Sequence, residues 1–128
     1  MGIHITWDSD AKQGLLQYYS GTWTMNDYER MIAKTRAALR TVEHEVYIVC
    51  IVEDSFAIPE GFLRRFAQLG HDKSPNLRGI IIVGDDYKLR MIYNVFSKVD
   101  HPLSRNVHFV DSLNEARRVI NEHNTQTY

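Results

Sequence analysis

The chain of 128 residues has the length of one domain, able to bury roughly two-thirds of its unfolded surface without staples. Apolar residues at 44% and charged residues at 24% exclude a disordered tail, a coiled coil and a collagen-like repeat. Fifteen Lys and Arg against sixteen Asp and Glu leave a net charge of −1, which gives no pull toward nucleic acid or an anionic membrane.

The N-terminal Ile3-His4-Ile5-Thr6-Trp7-Asp8 alternates apolar and polar residues, the pattern of a strand with one buried and one wet face. After a polar turn, Gly14 opens a second strand, Leu15 to Ser20, ended by Gly21. Strands joined so closely pair antiparallel, because a parallel pair needs a crossover of a dozen or so residues. Thr24 then caps a helix, with Asp27 near the positive end of its dipole. Tyr28, Ile32, Thr35 and Leu39 fall on one face, widened by Met31 and Ala38, while Arg30, Lys34, Arg36 and Arg40 take the wet side. Trp23, just before the cap, staples that helix to the sheet.

Val46 to Val52 is continuously apolar and β-branched, a central strand covered on both faces. It is also the longest apolar run, far short of the ~20 residues of a transmembrane helix. Pro59 opens the next helix, with Phe62, Leu63, Phe66 and Leu69 inward and Gly70 at its end. His71 to Asn76 reads as a loop, and Gly79 to Val83 as a second buried strand. Leu89, Ile92, Phe96 and Val99 mark a third helix, and Val107 to Val110 a short strand. Ser112-Leu113-Asn114-Glu115 is a capping box, followed by an inner face of Leu113, Ala116 and Ile120; Asn124 to Tyr128 is expected to fray. The order β-β-α-β-α-β-α-β-α specifies an α/β domain with a mixed sheet of about five strands, its middle strands parallel and its first strand at an edge. One domain over 1–128 is expected, ordered over about 3–122.

The glycines form neither a dinucleotide fingerprint nor a Walker loop, and the six histidines stand singly without ligand spacing. No metal or cofactor is therefore expected. His4 and His108 sit in strands, and Cys50 lies mid-run in the most buried strand, where a thiol behaves as a small hydrophobe. A single cysteine excludes an internal disulfide and fits a reducing compartment. No nucleophile–base pair can be read, so an enzyme is not expected.

Acidic pairs follow both buried strands: Glu53-Asp54 after the first, Asp85-Asp86 after the second. Ligands of open α/β sheets sit at such strand ends, which makes Glu53, Asp85 and Asp86 candidates to line a crevice for a lipid or anionic ligand. The plainer reading is that short acids open the following helices. Ser55 is either an anion-binding or phosphorylatable hydroxyl or, more commonly, a turn residue. Phe56 and Ile58 are loop hydrophobes beside Asp54 and Glu60, either folded back on the core or offered to a partner.

Taken together, the pattern resembles the STAS domain family, in its SpoIIAA-like branch of anti-sigma-factor antagonists. The carrying features are Gly21-Thr22-Trp23-Thr24 leading to Asp27-Tyr28, the strand ending Val52-Glu53-Asp54, Pro59-Glu60-Gly61-Phe62, Gly79 to Gly84, the Phe96 stripe, and Phe109 to Ala116. They span nearly all of Ile3 to Glu122. The resemblance implies a regulatory module that binds another protein, is compatible with a homodimer, and is cytoplasmic. Antagonists of that family are phosphorylated on a serine or threonine that follows an acid and precedes a glycine. Aligned on Gly61, this sequence holds Ile58, Pro59 and Glu60 there, so the hydroxyl is missing and an unswitched module is expected. Asp54, Ser55, Phe56, Ile58, Glu60 and Phe62 are the partner-binding candidates.

Overall fold

The computed structural model describes residues 2–52, 59–62, 64, 65, 75–84, 94 and 107–126. Five strands form one sheet in the order β1-β2-β3-β4-β5: β1 (Gly2–Trp7), β2 (Gly14–Ser20), β3 (Val46–Val52), β4 (Leu77–Val83) and β5 (Val107–Val110). β1 pairs antiparallel with β2, and every later pairing is parallel. The mixed sheet with β1 at its edge is the one the hydrophobic patterning predicts. Helix α1 (Met25–Leu39) carries the crossover between β2 and β3, and α2 (Leu113–Gln126) follows β5. Residues 62, 64, 65 and 94 are also helical, and the other residues of the expected inner faces behind β3 and β4, Leu63, Phe66, Leu69, Leu89, Ile92, Phe96 and Val99, lie outside the described residues.

The caps explain where the helices start. The Thr24 side chain accepts the Asp27 N–H at 3.1 Å, and the Asp27 carboxylate accepts the Thr24 N–H at 2.9 Å, satisfying two donors that the helix leaves orphaned. At α2, Ser112 accepts the Glu115 N–H at 3.2 Å, but the Glu115 carboxylate reaches past the cap to the Asp111 N–H at 3.1 Å. The expected box is therefore wider by one residue. α2 also continues through Gln126, so residues 124–126 are helical where fraying is expected.

Each face of the sheet has its own core. Tyr19, Ile48, Cys50, Ile80 and Ile82 pack with Trp23, Phe62 and the Tyr28, Met31 and Ile32 face of α1. On the other face Leu16, Tyr47, Val49, Ile81 and Val83 meet Ala116 and Ile120 of α2. There α2 comes so close that a side chain at Gly14 would stand 3.2 Å from the Ile120 methyl. β4 starts at Leu77 rather than at the expected Gly79, because a register shift between Val46 and Tyr47 lets Leu77 pair with Val46. Asn76 secures that corner, its side-chain amide donating to the Leu39 and Val42 carbonyls at 2.8 and 3.1 Å.

Candidate functional site

The four parallel strands end together at Ser20, Val52, Val83 and Val110, the side of an open α/β sheet where ligands and partners dock. Described chain bordering this end includes the approach to α1 at residues 21–24, the turn at residues 59–62, Gly84 beside β5, and residues 111 and 112 after β5. Gly84 is fixed there by its N–H donating to the Val110 carbonyl at 3.0 Å.

The turn after β3 is built from its sequence outward. Pro59 begins a helical turn in which its carbonyl accepts the Phe62 N–H at 3.2 Å, and the Gly61 carbonyl accepts the Arg65 N–H at 3.2 Å. Gly61 has φ +87°, a left-handed conformation that an L side chain rarely adopts, although a Cβ would meet nothing within 4 Å. Backbone conformation alone thus demands glycine. Glu60, between the two, is exposed.

Phe62 is 3% exposed. Its ring meets the edges of Trp23 at 5.2 Å and Tyr28 at 5.0 Å, with interplanar angles of 81° and 79°. Trp23 in turn stands edge-on to Tyr19 at 5.4 Å. Such edge-to-face pairs are favoured by the ring quadrupoles, beyond the area they bury. Arg65 forks onto Glu29 of α1, a second tie between the turn and that helix. Phe62 is therefore a core residue, and its candidacy as a docking contact is corrected: the helical spacing that places it inward describes it. Trp23 does join the helix start to the sheet, and it does so through this aromatic cluster.

Of the remaining candidates, Glu53, Asp54, Ser55, Phe56, Ile58, Asp85 and Asp86 lie outside the described residues. Glu60 is the candidate the structure places, on the surface of an anchored turn.

Beneath this end lies a polar group that the sequence reading missed. Gln17 is buried in β2, and its side-chain carbonyl accepts from the Tyr19 hydroxyl at 2.8 Å and the Cys50 thiol at 3.4 Å. Its amide donates to the Thr35 hydroxyl at 3.2 Å, which reaches the Met31 sulfur at 3.2 Å. The signal was a polar residue at an inward position between Leu15 and Tyr19. Burial pushes the Cys50 thiol up to about 12, against a weaker opposing hydrogen bond from Tyr19, so it stays protonated and unreactive at neutral pH. Burial likewise raises the Tyr19 and Tyr28 phenols.

The opposite end of the sheet holds a polar hollow of about 290 Å³ bordered by Asp8, Gln13, Gly14, Arg117 and Asn121. Arg117 Nη2 donates to Asp8 at 2.7 Å and Nε at 3.0 Å, clamping the β1–β2 turn to α2. Among the described residues, the clamp answers the one cation bordering the hollow, Arg117, with the Asp8 carboxylate. Among the described residues no group of three His, Cys, Asp or Glu is gathered as metal ligands, and no helix is long and apolar enough to cross a membrane.

The sequence matches no protein-family model and no curated protein. The structure is similar to the crystal structure of an uncharacterized DUF3478-family protein with a SpoIIAA-like fold from Shewanella loihica PV-4. The TM-score is 0.64 at 15% identity, covering 93% of this chain and 94% of the other. At that identity the likeness shows the fold, and the fold of this chain is SpoIIAA-like.

Proposed function

We propose that this SpoIIAA-like chain is a single-domain, non-enzymatic, cytoplasmic regulatory module that binds another protein through residues 54–60, without a phosphorylation switch. The observation that carries the reading is the exposed Glu60 on a turn whose next inward residue, Phe62, is locked edge-on between Trp23 and Tyr28. The turn at residues 59–62, anchored in this way, presents Glu60 in one conformation, which spares part of the ordering cost of binding. Phe56 and Ile58 beside Asp54 and Glu60 supply an apolar anchor with a charged surround, as interfaces do. By its resemblance to STAS antagonists the segment takes the family's docking position, where Pro59 cannot carry phosphate. Glu60 gives that position a permanent negative charge, favoured at a helix start.

The test is a photo-cross-linker placed at Glu60 in the producing cells, repeated in a Phe56→Asp background. One protein is expected to be captured, and Phe56→Asp is expected to abolish the capture without moving the thermal midpoint. Normal capture by Phe56→Asp, or its unfolding, overturns the assignment. Native mass spectrometry that finds a retained small molecule instead of a protein favours the crevice of Glu53, Asp85 and Asp86. Stoichiometric phosphorylation of Ser55 that alters partner affinity overturns the unswitched part.

A further inference from the structure

The two edges of the sheet are built differently. β5 is four residues long, and shortness is one way proteins keep an edge from pairing. β1 spans six residues and pairs with β2 at six consecutive positions, Gly2 with Ser20 through Trp7 with Leu15, without a bulge. Its sequence, Gly-Ile-His-Ile-Thr-Trp, contains no Lys, Glu or Pro, the residues that usually blunt an edge. Among the described residues no strand lies on its outer side.

Alongside this open edge runs α1. A groove of about 400 Å³ separates them, with Ile3, Ile5 and Met31 along its floor and Asp27, Arg30 and Lys34 along the helix side. Arg30 and Lys34 are exposed and stand one helical turn apart. Asp27, at one end, is already engaged by the Thr24 N–H and by Arg30 at 2.8 Å. That contact uses one nitrogen of the guanidinium fork, and the Arg30 side chain remains 72% exposed.

We propose that β1 accepts an extended segment of a partner protein as a sixth strand, and that this segment carries acidic residues at two alternate positions. The inference concerns the edge of the sheet and stands apart from the docking turn at its loop end. The charge spacing argues for the occupant. Four residues of α-helix rise about 6 Å, and two residues of strand span about 6.6 Å. Side chains i and i+2 on the α1 side of an added strand therefore come opposite Arg30 and Lys34 in turn. The next such position toward Gly2 meets Asp27, which disfavours a third acid. The backbone edge supplies affinity and the two cations supply selectivity, the division of labour seen in strand addition. A second copy of β1 is the poorer occupant, because its strand brings no acid to either cation.

The test titrates the ¹⁵N-labelled full chain with the peptide Thr-Val-Glu-Val-Glu-Val-Thr. Amide shifts are expected over residues 2–7 and 27–34, with new exchange protection in β1. An isomer with its two glutamates adjacent, and so on opposite faces, should bind about tenfold more weakly. Arg30→Glu combined with Lys34→Glu should reverse the preference toward a peptide with lysines in place of the glutamates. N-methylation of alternate peptide amides should abolish binding in one phase and spare it in the other. Equal binding of the two isomers, shifts centred on residues 59–62, or no binding at all overturns the proposal. Concentration-dependent shifts in β1 without peptide overturn it in favour of a second copy.

Discussion

Phe62→Ala tests whether the turn after β3 is anchored or merely adjacent. Truncating a ring this buried is expected to cost about 3–5 kcal/mol, from lost transfer energy and the cavity left between Trp23 and Tyr28. Within that sum the two edge contacts account for about 0.5–1.5 kcal/mol each. Phe62→Leu keeps most of the apolar volume and loses chiefly those contacts, so about 1–3 kcal/mol is expected. A domain of ordinary stability, about 5–15 kcal/mol, survives both substitutions if it starts above the low end of that range. Guanidinium denaturation followed by tryptophan fluorescence reads the difference, because Trp23 is a direct neighbour of the deleted ring. The midpoint should fall with an unchanged slope, since the exposed surface of unfolding is nearly the same. A loss below about 1 kcal/mol for Phe62→Ala would refute the anchoring argument and return Phe62 to the surface.

Three further outcomes follow from the same core and caps. Cys50→Ala is expected to cost about 1–2 kcal/mol, and the native thiol to resist a disulfide reagent that modifies the unfolded chain at once. Gln17→Leu should cost about 2–4 kcal/mol despite its gain in apolarity, because it removes the partner of Tyr19, Cys50 and Thr35 together; a neutral result in urea denaturation would refute the network. Hydrogen bonds from the Thr24 backbone first, then its side chain and Arg30, hold the Asp27 carboxyl below its usual 3.8. Its stabilisation is thus present above that value and lost as pH falls through the depressed one; Asp27→Asn should flatten the acid limb of a stability–pH curve, and an unchanged limb would contradict the assignment.

How much of this was readable beforehand depended on whether the signal was local. The Thr24 cap and the Tyr28–Leu39 stripe announce themselves within a few residues, and the structure uses both. The start of β4 did not, because Leu77 is drawn into the ladder by a register shift in a strand thirty residues away in sequence. The polar tail of α2 gave no apolar period to mark its continuation to Gln126. Phe62 carried two conflicting signals, a helical spacing that pointed inward and a loop neighbourhood that pointed outward. Packing resolved it in favour of the spacing, because Trp23 and Tyr28 form the slot it fills. Gln17 gave only the weak signal of its place between Leu15 and Tyr19, for a different reason. A glutamine in a strand reads as solvent-facing until three partners from β2, β3 and α1 are seen around it.

Those partners also say why a glutamine is kept where an aliphatic residue would bury more cheaply. Gln17 and Cys50 are opposite one another in the parallel β2–β3 ladder, and their side chains meet at 3.4 Å. Because side chains alternate across a strand, a slip of one residue would send Gln17 to the α2 face and bring exposed Tyr18 beneath α1. An all-aliphatic β2 would tolerate that slip, since Leu15 and Leu16 are interchangeable in character. The glutamine does not, for in the slipped register Thr35 and the thiol lose the amide that satisfies them. The network therefore selects the register in which Tyr19 stands edge-on to Trp23. Trp23 in that position is one wall of the slot that holds Phe62, and Phe62 holds the turn that presents Glu60.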